Sequence, residues 1–115
     1  MKKILLTNVA DVVKTILETN EAARNNNNLL ICLVINEYGK RYAKQTGRNP
    51  FTCNDPFIEI IDAINKGYAP SIKTILRVRR KVQELSPDLK ANKQTQILRS
   101  KEEDKYIEFA HTKTL

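Results

Sequence analysis

Lys73, Arg77, Arg80 and Lys81 recur at spacings that gather four cations on one side of an α-helix. At 100° per residue, Ile75, Val78, Val82 and Leu85 fall on the other side, and Glu84 is the one acid among the cations. The chemistry open to such a face is electrostatic. A row of ammonium and guanidinium groups can meet phosphates while the apolar side holds the helix to its own protein. A solvated surface helix shows the same pattern, so charge placement along the chain has to decide.

The net charge of +7 is unevenly distributed. Residues 66–101 hold ten Lys/Arg against two acids, Glu84 and Asp88; residues 1–65 hold eight against seven, and residues 102–115 two against four. A basic segment confined to one region favours a polyanionic partner, because local potential steers association more than net charge does. Duplex DNA is the expected partner, with the helix 72–85 in or against the major groove. The N-terminal part of such a helix meets base edges, which assigns Lys73, Thr74 and Arg77 to that role. Arg80 and Lys81 would hold phosphates, with Arg79 and Lys90 peripheral. Arg77 is the candidate for specificity, since a guanidinium makes bidentate base contacts that an ammonium cannot. The alternative is a protein-interaction factor, such as a replication accessory or host-protein inhibitor, using the same surface with Tyr68 or Phe51 as anchors.

Other chemistries find little purchase. There is no Gly-rich phosphate loop and no nucleophile in a catalytic setting. Cys32 and Cys53 match no metal spacing and read as structural thiols, a disulfide between them not being expected in a reducing compartment. The only histidine, His111, stands near the C-terminus. Glu102, Glu103 and Asp104 are consecutive, so on a helix they diverge, and they suit a first turn better than a cation site. The chain is expected to be non-enzymatic, with no cofactor and no metal. No apolar run approaches the roughly 18 residues of a membrane span, and the polar Thr7, Asn8 and Asp11 interrupt the signal-like opening. A cytoplasmic protein is expected. The sequence leaves the oligomeric state open, a dimer included.

The elements that must position the cations are helical throughout. Val9, Val12, Val13, Ile16 and Leu17 follow helical periodicity, with Asn8 as cap and Asp11 in the first turn; residues before them are either an extended arm or a helical turn. The Asn25–Asn28 tract makes a turn, with Asn28 capping a central helix over about 29–46 that Gly47 stops. Tyr38 and Tyr42 close the core edge. Asp55-Pro56 opens the next helix, which buries Phe57, Ile60, Ile61 and Ile64 and ends at Gly67. A five-residue turn follows, Ser71 caps the basic helix, and Pro87 ends it. Residues 90–96 read as a polar loop and 100–110 as a closing helix with Ser100 as cap. The predicted architecture is all-α: a compact bundle of four to five helices with a helix-turn-helix-like unit over 55–85 and no more than a small wing. Residues 1–89 form the core, and 90–115 a linker and C-terminal helix packed on it or extending from it.

The stretch Ala69-Pro-Ser-Ile-Lys-Thr-Ile-Leu-Arg-Val-Arg-Arg-Lys-Val-Gln-Glu-Leu-Ser-Pro-Asp-Leu89 resembles a group of small proteins from phages and prophages of Gram-positive bacteria. In that group a Pro-Ser turn precedes a helix ending in Arg-(Arg/Gln)-Lys-(Val/Ile)-Gln-Glu, followed by a Pro-(Asp/Glu)-Leu stop. The resemblance extends to Arg24-Asn-Asn-Asn-Asn-Leu-Leu, to Asp55-Pro-Phe-Ile-Glu and to the closing helix with Tyr106 and Phe109. It implies a helix-turn-helix-like fold and a phage context. The Asn tract and the Lys/Gln-rich stretch 90–96 are not expected of every member.

Overall fold

The structure, a computed structural model, describes residues 9–101. Five α-helices run through them: α1 Val9–Thr19, α2 Asn27–Thr46, α3 Phe57–Asn65, α4 Ile72–Leu85 and α5 over 93–101. Single 3₁₀ turns occupy Glu21–Arg24 and Pro87–Leu89. The fold is all-α, with no strand and hence no wing among the described residues. Asn8, the opening arm, and the closing helix beyond 101 with Tyr106 and Phe109 lie outside them.

The core is aliphatic, as a chain without Trp requires. Val12, Val13 and Leu17 from α1 meet Leu30, Val34, Ile35 and Tyr38 from α2 and Ile75 and Val82 from α4. α4 packs chiefly on α1 and next on α2; α3 is not among its principal neighbours. The basic helix is thus seated on the first two helices, and α3 touches the core through Ile60 and Ile64. Tyr38 is fully buried, at the centre of the core and not at its edge. Tyr42 does hold an edge, its ring 5.5 Å from Phe51 and 4.7 Å from Tyr68.

Several expected boundaries move, each for a local reason. Asn26, not Asn28, caps α2: its extended backbone lets its side chain accept the Leu29 N–H at 3.1 Å, and Asn28 is left exposed inside the first turn. Asp55 does not cap α3, because its carboxylate accepts the Thr52 N–H (3.0 Å) and hydroxyl (3.4 Å) of the preceding turn. Pro56 takes the cap position, and α3 begins at Phe57. Phe57 is 70 % exposed, so the expected buried stripe of α3 starts only at Ile60. Leu85, at the far end of α4, is likewise 83 % exposed, because Pro87 turns the chain away before anything covers it. Residues 90–96 are a loop only as far as Asn92: α5 starts at 93, with Asn92 accepting the Thr95 N–H at 2.8 Å and the Gln96 N–H at 3.0 Å. Lys, Gln and Leu are good helix formers, so a polar stretch behind a strong cap is helical, and Ser100 lies inside the helix and not at its cap. The stops at Gly47 (φ 72°) and Gly67 (φ 82°) and the Ser71 cap are as expected.

The loop after α2 lies back along that helix. The Cys53 N–H donates to Asn36 at 2.9 Å, and the Phe51 carbonyl sits where a Cβ on Gly39 would have to go. Cys32, one turn before Asn36, faces the Cys53 thiol; both cysteines are free. Burial, then the hydrogen bond to Cys53, raises the Cys32 thiol above the ordinary range.

Candidate nucleic-acid interface

The seven residues expected from the sequence divide into four outward cations on α4, Thr74 at its cap, and Arg79 and Lys90 on a second flank. Lys73, Arg77, Arg80 and Lys81 are exposed along the outer side of α4, opposite the buried Ile75 and Val82. Their carrier begins at a firm cap: the Ser71 hydroxyl accepts the Thr74 N–H at 3.1 Å and donates to the Thr74 hydroxyl at 3.0 Å. Thr74 is therefore half-buried and part of the cap, set back from the cation row. Arg80 pairs with Glu84 at 3.8 Å, a solvent-exposed i, i+4 contact of small energy.

Arg79 points to the other flank, where its Nη1 donates to Gln83 at 3.3 Å. Lys90 lies across the same flank, lining with Arg79 a crevice between α4 and α5. Gln83 is the buried polar residue of the core, 7 % exposed, and composition gave no reason to single it out. Its amide N–H groups donate to the carbonyls of Leu89 (2.8 Å) and Arg24 (3.3 Å), so its oxygen is aimed at the two arginines beside it. The second of these is Arg99, which donates to Gln83 at 3.4 Å and to Asn27 at 2.7 Å. Arg99 was hidden because its stretch reads as a linker without α5. For Gln83 a signal existed: at 100° per residue it lies between Arg79 and Leu76, on the flank of the core stripe.

The asparagine tract serves this region as structure. Asn25 accepts the Asn92 N–H, Asn26 caps α2 and Asn27 holds Arg99. The anchors considered for a protein partner, Phe51 and Tyr68, are half-buried and packed on Tyr42. Two adjacent apolar side chains that are exposed are instead Phe57 and Ile58 on α3, 70 % and 75 % accessible.

No family model, curated protein or solved structure matches this chain. Among the described residues no helix is long and apolar enough to cross a membrane, and no three His, Cys, Asp or Glu side chains gather as metal ligands would.

Proposed function

We propose that this chain is a nucleic-acid-binding module, of phage or prophage context by its resemblance, that engages duplex DNA through α4. The observation that carries this reading is the outward row of Lys73, Arg77, Arg80 and Lys81 on a helix whose opposite side is sealed into the core by Ile75 and Val82. A rigid helix presenting cations at fixed intervals meets a phosphate backbone without reordering its own carrier. The N-terminal turn, with Lys73 and Arg77, lies nearest the base edges when the helix enters the major groove, and Arg77 reads a guanine by its two-pronged contact. Lys81 and Arg80, further along, bind phosphates. α4 is the DNA-facing helix, with α1 and α2 as the platform under it and α3 outside that packing.

The test is a fluorescence-anisotropy titration of non-specific duplex at several salt concentrations. With four to six phosphates neutralised, the log–log slope is about −4 to −5, at roughly 0.9 per contact. Lys73→Ala, Arg77→Ala and Lys81→Ala combined abolish measurable binding at physiological salt with helix content unchanged. A slope shallower than about −2, or a triple variant that binds as the parent does, overturns the reading.

A second reading, a protein-interaction factor, draws on Phe57 and Ile58, whose exposure is unusual for adjacent large apolar residues. It requires that Phe57→Ser with Ile58→Ser abolish capture of the partner while the cation substitutions leave it intact. Duplex binding, by contrast, is insensitive to that pair.

A further inference from the structure

We propose that Cys32 and Cys53 form a reversible dithiol site, which a peroxide oxidises to an internal disulfide that clips the loop before α3 onto α2. This inference does not rest on the duplex-binding reading.

The path of the backbone brings the two cysteines together. Cys32, Asn36 and Gly39 stand at i, i+4 and i+7 of α2, so they share one side of that helix. The chain after α2 runs back along this side in the opposite direction. Its Phe51 carbonyl fills the space that a Cβ on Gly39 would need, which sets how closely loop and helix approach. Two residues on, the Cys53 N–H donates to the Asn36 side chain at 2.9 Å. Cys53 packs against the core from there, so its side chain is turned inward to α2. One further turn along the helix lies Cys32, and the two thiols are within hydrogen-bonding reach of each other.

Both cysteines are free and half-buried, hence open to a small oxidant and shielded from a second chain. A tethered pair has a chemistry that two separate thiols lack, because closing the bond is intramolecular. A disulfide needs its sulfurs about 2.05 Å apart and its Cα atoms within roughly 7 Å. The helix is the fixed partner here. The loop supplies the adjustment, pivoting between the Asn36 contact and the turn in which Asp55 accepts the Thr52 N–H.

Burial, and then the Cys53 contact, make the Cys32 thiolate scarce, so the first attack is assigned to Cys53. The Cys53 thiolate attacks one peroxide oxygen. The S–O bond forms, the O–O bond breaks, and the departing hydroxide takes up the proton that Cys53 lost, leaving as water. Cys53 is then a sulfenic acid. The Cys32 sulfur attacks the Cys53 sulfur: the S–S bond forms, the S–O bond breaks, and the Cys32 proton leaves with the hydroxyl as a second water. Two electrons have passed from the pair to the peroxide, and a small dithiol returns them by exchange. The oxidised chain carries a covalent ring over residues 32–53, which restrains its unfolded state and holds the entry to α3 against α2.

The experiment uses the full chain, reduced with dithiothreitol, freed of it and exposed to stoichiometric hydrogen peroxide. Expected is a monomer whose intact mass falls by two hydrogens, whose denatured form no longer takes iodoacetamide, and whose digest links the peptides of Cys32 and Cys53. Dithiothreitol should restore both thiols, and the oxidised form should melt about 5–10 °C above the reduced one. Cys32→Ser should stop at a Cys53 sulfenic acid that dimedone captures, whereas Cys53→Ser should react about tenfold more slowly than the parent. Asn36→Ala frees the Cys53 backbone with both thiols in place. It should slow disulfide closure while leaving the dimedone-trapped step unchanged. The parent alone decides the site, so a variant that fails to fold does not obscure the result. A parent that stays reduced, that goes on to sulfinic acid without the internal bond, or that links only between chains overturns the proposal. So does an internal disulfide that forms as fast in urea as in the folded chain, since the fold would then not be what pairs the thiols.

Discussion

Tyr38 brings a polar atom into an aliphatic core, and its hydroxyl is buried with no hydrogen-bond partner among the described residues. Burial raises its phenol above the ordinary tyrosine range, with Arg41 pulling the other way and Glu37 adding to the rise. Because the folded-state value is the higher one, the unfolded chain releases this proton first. The associated stability is complete below about pH 10 and is lost as pH rises through the folded value. Tyr38→Phe should therefore flatten the alkaline limb of a stability–pH profile, and at neutral pH it should be neutral or stabilising by about 1 kcal/mol, since it deletes an unsatisfied group. Urea melts at pH 7 and pH 10.5 would show this, and a loss above 1 kcal/mol at pH 7 would reveal a hidden partner for the hydroxyl. Gly39 makes the opposite demand. With the Phe51 carbonyl occupying the place of its Cβ, Gly39→Ala must push the loop off α2 and should cost about 2 kcal/mol, measured as a lower denaturation midpoint.

At the scale of elements, helix periodicity was the most legible signal and end chemistry the least. The stripe Val12, Val13, Leu17 in α1 and the pair Ile75, Val82 in α4 follow from spacing alone, because 3.6-residue geometry is local. The tertiary cover over a stripe is not local, and so Leu85 and Phe57 belong to the same apolar pattern yet stay exposed. Replacing Ile75 by Ala should accordingly cost about 3 kcal/mol, while Leu85→Gln should stay within about 0.5 kcal/mol, compared by thermal melts. Caps were harder to place, since Asn26 and Asn28 are chemically identical and only the chain direction into α2 separates them. α5 was invisible because its helix carries no buried stripe: Ile97 and Leu98 are about half exposed, and periodicity has nothing to register. Of the candidate site, the outer cation row could be read from spacing, whereas the crevice could not, since Arg99 reaches Gln83 and Asn27 across 16 and 72 residues.

For the molecule as a whole, the division of labour follows the charge. The nearly neutral first half supplies α1 and α2, the platform, and the cations concentrate in what is laid on it. For the proposed duplex interface, the rate of association should fall more steeply with ionic strength than the rate of dissociation rises. Stopped-flow measurements at two salt concentrations separate the two; a salt effect confined to dissociation would place the energy in short-range contacts instead.

α5 is joined to this platform mainly through polar contacts, Asn25 to Asn92, Asn27 to Arg99 and Arg99 to Gln83, and Ala91 is the buried apolar residue that leads into it. In hydrogen exchange such an element forms a unit of its own: the amides of 93–101 become labelled through a low-energy opening, long before those near Leu30 and Ile75 that wait for global unfolding. One wall of the crevice is thereby firm and the other is hinged. At low denaturant the labelling of α5 should therefore stay nearly constant, while that of the α2 core follows the global stability.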